Sequence, residues 1–126
     1  MALVDNPQEV LYRVVCSIQW DNELNRPAIT AFEDKKGLSV SKMGNRAEKD
    51  VVEHLMKKLN NVEHIIKISV QQCLDIKVYP INKPSKNDSY HAEIWDTSDK
   101  KEIALDKRQE MAKESVIVDL PKEEQK

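Results

Sequence analysis

The amino-acid sequence predicts an α+β fold, a mixed and mainly antiparallel sheet of about five strands with two helices. Three observations lead there. Runs rich in Val, Ile and Leu, each of strand length, recur along the chain. Two stretches carry apolar residues at helical spacing instead. Their order of two strands, a helix, three strands, a helix and a strand lacks the regular alternation that builds a parallel, doubly wound sheet. The 126 residues, 40% of them apolar, suffice for one core and fit one domain over 1–120, followed by a charged tail at 121–126.

Residues 10–18, VLYRVVCSI, combine β-branched and aromatic side chains and predict a largely buried first strand. The polar stretch 19–26 reads as a loop ending at Pro27, and 28–32 as a short extended segment. Gly37 introduces Leu38-Ser39-Val40, whose alternation puts Leu38 and Val40 on one face and Ser39 on the other. Gly37 and Gly44, the chain's two glycines, are expected in turns. A helix is predicted over 46–59, because Ala47, Val51, Val52, Leu55, Met56 and Leu59 form one stripe. Asn45 and Glu48 supply its capping pair and Asn60-Asn61 its stop.

Residues 64–70 and 74–81 both read as strands, joined through Gln71-Gln72-Cys73 by a hairpin or a short helical turn. The run NKPSKNDS at 82–89 predicts an exposed loop, and YHAEIW at 90–95 a further strand. Asp99 and Glu102 form a second capping pair ahead of a weaker stripe of Ile103, Ala104, Leu105, Met111 and Ala112, and 116–120 reads as the last strand.

Twenty Lys and Arg stand against 22 Asp and Glu, a net charge of -2. That balance lacks the positive field a general nucleic-acid coat needs. No segment approaches the ~20 apolar residues of a membrane span and the N-terminus lacks a signal-peptide pattern, so a cytoplasmic protein with no membrane partner is expected. Cys16 and Cys73 lie in apolar runs and read as reduced core residues.

Neither glycine belongs to GxGxxG or GxxxxGK, which excludes those nucleotide sites, and no cofactor is expected. Cys16, Cys73, His54, His64 and His91 are too scattered for a local zinc motif, so no metal is expected. Asp75-Ile76-Lys77 matches the end of a metal-dependent nuclease pattern, in which the carboxylate holds a divalent ion and the lysine stabilises the attacked phosphate. On a strand the same two residues form an ordinary solvated face. Tyr90-His91-Ala92-Glu93 is more informative. His91 and Glu93 share a strand face after the longest loop, where imidazole and carboxylate act together, hydrogen-bond a ligand, or simply face water.

Asn25-Arg26-Pro27, Ala31-Phe32, Gly37-Leu38-Ser39-Val40, Asn45-Arg46 with Glu48, and His91-Ala92-Glu93-Ile94 span most of 12–95. Together they resemble a widespread family of small uncharacterised bacterial proteins. The resemblance implies a bacterial, cytosolic source and no particular reaction; Ser41-Lys42 stand where such proteins commonly show an acidic residue. Leu11-Tyr12-Arg13, Phe32 and Leu38-Ser39-Val40 are similar, more distantly, to RES-type and other ADP-ribosyltransferase-like domains. That likeness implies Arg13 on a pyrophosphate, Glu93 on a ribose hydroxyl and Ser39 nearby.

Two function classes follow. The first is a binding or accessory module that acts with a larger protein partner through Arg26, Arg46, His91 and Glu93. The second is a small enzyme acting on a nucleotide or nucleic acid, ADP-ribosyltransferase-like or nuclease-like, centred on Arg13, Ser39, His91 and Glu93. The small, motif-poor chain favours the first.

Overall fold

A computed structural model describes residues 2–60 and 62–121. In chain order its elements are β1 (Val10–Val15), β2 (Trp20–Asp21), β3 (Arg26–Pro27), β4 (Leu38–Lys42), α1 (Glu48–Lys58), β5 (His64–Ser69), α2 (Val70–Ile76), β6 (Tyr79–Asn82), β7 (His91–Trp95), α3 (Leu105–Glu114) and β8 (Val116–Val118). Short 3-10 turns lie at Ser17–Gln19 and Ile29–Phe32. The main sheet runs β6-β7-β4-β1-β5-β8 with every pairing antiparallel, and β2-β3 form a separate ribbon. The fold is α+β, as expected, with six strands in the main sheet instead of about five and three helices instead of two.

Alternation along β1 sorts the core into two layers. Leu11 and Val15 join Phe32, Leu38, Val40, Ile66, Ile68, Ile94 and Met111 on the face covered by α2, α3 and the Ile29–Phe32 turn. Tyr12 points the other way, into a smaller cluster with Ile65, Val118 and the α1 residues Val51, Val52 and Leu55. The middle of the predicted α1 stripe, Val51, Val52 and Leu55 with the partly buried Met56, is therefore its packing face, while Ala47 and Leu59 at its ends are exposed.

The third helix replaces the start of the strand expected at 74–81. Ser69 Oγ accepts the Gln72 N–H at 3.0 Å while the Gln72 side-chain oxygen accepts the Ser69 N–H at 2.9 Å, a reciprocal cap that commits the chain to helix. Lys77, at φ 70, ends it, so Asp75 and Lys77 never share a strand face. The segment expected to be extended at 28–32 is the 3-10 turn, which tucks Ala31 and Phe32 inward. The loop expected at 19–26 contains the β2-β3 ribbon, and Trp20 stacks on His64 at 3.8 Å between ring centroids.

Two of the expected caps are differently employed. The α1 N-cap is Ala47, because the Asn45 side-chain oxygen accepts the Tyr90 hydroxyl at 3.1 Å and Glu48 pairs with Lys67 at 2.9 Å. Its stop is the extended Leu59; Asn61 lies outside the described residues. At α3, Asp96 and not Asp99 receives the Ala104 N–H, at 3.0 Å. Cys73 is buried as expected, and its thiol is pushed up to about 12 by burial, whereas Cys16 is exposed where β1 gives way to the first 3-10 turn. The charged tail expected at 121–126 lies outside the described residues apart from Pro121.

Candidate functional site

The strand pairing between β1 and β4 starts at Leu11 with Lys42 and Tyr12 with Ser41 and then stops. Beyond that point the Arg13 guanidinium bridges what the ladder leaves open. Its Nε donates to the Ala31 carbonyl and its Nη1 to the Ser39 carbonyl, both at 2.8 Å. Burial works against the Arg13 charge and lowers its pKa, while the Asp34 carboxylate supports it; a guanidinium so placed stays charged.

A cavity of about 270 Å³ opens at this gap, beneath the C-terminal end of α1. Its polar lining comes from four elements and a loop. Arg13, Ser39 and Ser41 are supplied by β1 and β4, Lys58 by α1, and Asp88 and His91 by the loop before β7 and the start of β7. Strand alternation explains the grouping, since Ser39 and Ser41 face the same way as Glu93 and His91, their register partners on β7.

Asp88 is the hinge of the lining. It is 6% exposed, although the loop around it was expected to be exposed throughout. One oxygen accepts the Tyr90 N–H at 3.0 Å and the other pairs with Lys58 Nζ at 3.0 Å. Burial alone would push this carboxyl up. The bonds from Lys58 and the Tyr90 N–H, with the Lys58 and His54 charges, outweigh it and hold Asp88 below the usual carboxylate range. His54 Nε2 lies 3.8 Å from the same carboxylate, is itself buried, and has no hydrogen-bond partner among the described residues. His91 Nδ1 lies 2.9 Å from the Lys83 carbonyl. Since a carbonyl only accepts, Nδ1 carries the proton, and in the neutral ring Nε2 is left as an acceptor.

Of the residues singled out from sequence, Arg13, Ser39 and His91 line this cavity. Glu93 stands opposite Ser39 in register, yet its carboxylate accepts Trp95 Nε1–H at 2.9 Å over Gly37. Gly37 has φ +100, and a Cβ there would lie 2.6 Å from the Glu93 oxygen, so only glycine permits this approach. Arg46 does not line the cavity and touches it only through Ser41. It donates to the Ser41 hydroxyl and the Lys42 and Met43 carbonyls and lies 3.7 Å over the Tyr90 ring. Arg26 sits on the β2-β3 ribbon beside Asp21, outside the cavity lining.

Sequence reasoning missed Lys58, His54 and Asp88. His54 and Lys58 are four residues apart on one helix face, and Asp88 two residues before Tyr90 has the spacing of an Asx turn; both signals were readable. Their convergence is not local and was not. Among the described residues, no group of three or more His, Cys, Asp or Glu is placed to hold a metal, and no helix is long and apolar enough to cross a membrane. The chain has no significant match among protein-family models, curated proteins or solved structures.

Proposed function

We propose that this protein is a binding module whose cavity at the β1-β4 gap receives an acidic group, a carboxylate or a phosphate, presented by a larger protein partner. The composition of the cavity carries the reading. Lys58 places a cation beside the single carboxylate of Asp88, Arg13 also lines the cavity, and Ser39 and Ser41 add hydroxyl donors. An incoming anion completes hydrogen bonds on an ammonium whose first bond is already oriented by Asp88. The volume suits one side-chain head group and falls below the range of drug-sized ligand sites.

A second reading is an ADP-ribosyltransferase-like enzyme, favoured by the shared placement of Arg13, Ser39 and His91. It is the weaker of the two. The Arg13 donors are engaged by two backbone carbonyls and the Glu93 carboxylate turns to Trp95, so the pair that would hold pyrophosphate and ribose is otherwise occupied.

The test is the dissociation constant, read by NMR, of acetyl-glutamate-amide and of inorganic phosphate for the native chain and for Lys58→Ala. Saturable binding that weakens by about fivefold or more in Lys58→Ala is expected from loss of a charge-assisted bond. No saturable binding of either probe, or equal affinity in the variant, overturns the proposal.

A further inference from the structure

The cavity uses one end of the β7 face. At the other end, Trp95 combines an aromatic ring with mobile cations. Trp95 is half-buried; Lys83 Nζ lies 5.4 Å and Lys101 Nζ 5.1 Å from its ring centroid, and both lysines are exposed. Tyr79, also exposed, is the register partner of Trp95 on β6. The Glu93 carboxylate anchors one edge of the indole by accepting its N–H. Gly37 lies against that bond, where a Cβ would meet the Glu93 oxygen and Trp95 Nε1.

We infer that this patch binds a short stretch of single-stranded nucleic acid, with an unpaired base on the Trp95 and Tyr79 rings and its flanking phosphates on Lys83 and Lys101. Both halves of the chemistry are needed to use what is there. A base stacks on an oriented aromatic ring, and lysines on long stems move from the ring to the phosphates. An acidic peptide would engage the lysines and leave the rings unused. A duplex keeps its bases stacked on one another, and the chain's net charge of -2 gives no extended positive surface to follow one. The patch therefore fits a few nucleotides of a single strand. It is independent of the cavity, since neither lysine nor ring lines it.

The experiment is fluorescence anisotropy of a labelled single-stranded oligothymidylate of about twelve nucleotides, at about 50 mM salt, set against the duplex of equal length and vesicles containing anionic lipid. Saturable binding to the single strand, weaker binding to the duplex and no vesicle binding are expected. The double variant Lys83→Glu, Lys101→Glu changes two exposed side chains and should lose most of the affinity, with the slope of log K against log salt flattened by about 1.4. Trp95→Leu should lose about tenfold, the scale of one base stack, and Trp95→Phe should retain most of that. Trp20 is buried against His64, so quenching of intrinsic fluorescence by the oligonucleotide should vanish in Trp95→Phe. Absence of binding, equal binding of the duplex, vesicle binding in place of strand binding, or a charge-reversed variant with native affinity overturns the inference.

Discussion

The sheet face beneath α1 divides into two regions of opposite character. Under the helix, β1, β5 and β8 present Tyr12, Ile65 and Val118 to Val51, Val52 and Leu55. Beyond it, β4 and β7 present Ser39, Ser41, His91 and Glu93. The same alternation runs through both, so the difference lies in what covers them and not in how the strands are made. An apolar face must be covered, whereas a polar one tolerates a cavity at little cost, and it is the C-terminal end of α1, at Leu55 and Lys58, that borders the polar residues. The covered region holds the fold together, and the other is where we propose that an anion binds.

Substitutions break or sharpen that contrast. The largest effect belongs to the opposite core layer, where Phe32→Ala should cost roughly 3 to 5 kcal/mol, because Phe32 is 1% exposed and its removal leaves a cavity. Leu55→Ala, in the covered region, should cost roughly 2 to 4 kcal/mol, and the exposed Lys57→Ala on the same helix almost nothing, both read by urea midpoints. Equal losses at Leu55 and Lys57 would mean the helix is not the cover. Arg46→Ala at the border should cost about 1 to 3 kcal/mol, since three acceptors and the Tyr90 ring lose their partner.

Asp88 and Asp96 give the comparison a pH axis. In both, burial opposes ionisation and is outweighed by hydrogen bonds and lysine charges, so the folded-state pKa is depressed. A depressed carboxyl stabilises the fold fully above its unfolded value and loses that contribution as pH falls through the folded one. Stability should therefore fall on acidification below the ordinary carboxylate range. Asp88→Asn should flatten that fall in urea midpoints taken across pH, and an unchanged acid limb would remove Asp88 from the account. A comparably small effect is expected at Ser39, exposed on the open half, where Ser39→Ala should change stability by under about 0.5 kcal/mol.

What was legible in the sequence was local. Leu38-Ser39-Val40 declared its two faces by alternation, and Val51, Val52 and Leu55 declared theirs by helical spacing. The α2 helix was legible too, as the Ser69 to Gln72 capping signature, but the β-branched and apolar character of 74–81 outweighed it in the reading. Asn45 illustrates what is not legible. Its side chain suits a helix cap, and only the fold shows that the Tyr90 hydroxyl, 45 residues on, claims it. The same holds for the cavity. Arg13 was singled out, but its two carbonyl partners come from the Ile29–Phe32 turn and from β4, and Lys58 meets Asp88 across 30 residues. Such pairings depend on where strands splay, which no single-segment pattern encodes.

The division between a holding half and a recognising half is tested most directly by mapping where a small anion acts on the native chain. Backbone amide shifts on titration with inorganic phosphate should gather at Ser39, Ser41, Lys58, Asp88 and His91 and leave Val51, Val52, Ile65 and Val118 unmoved. Shifts centred under α1, or spread evenly over both halves, would contradict the account.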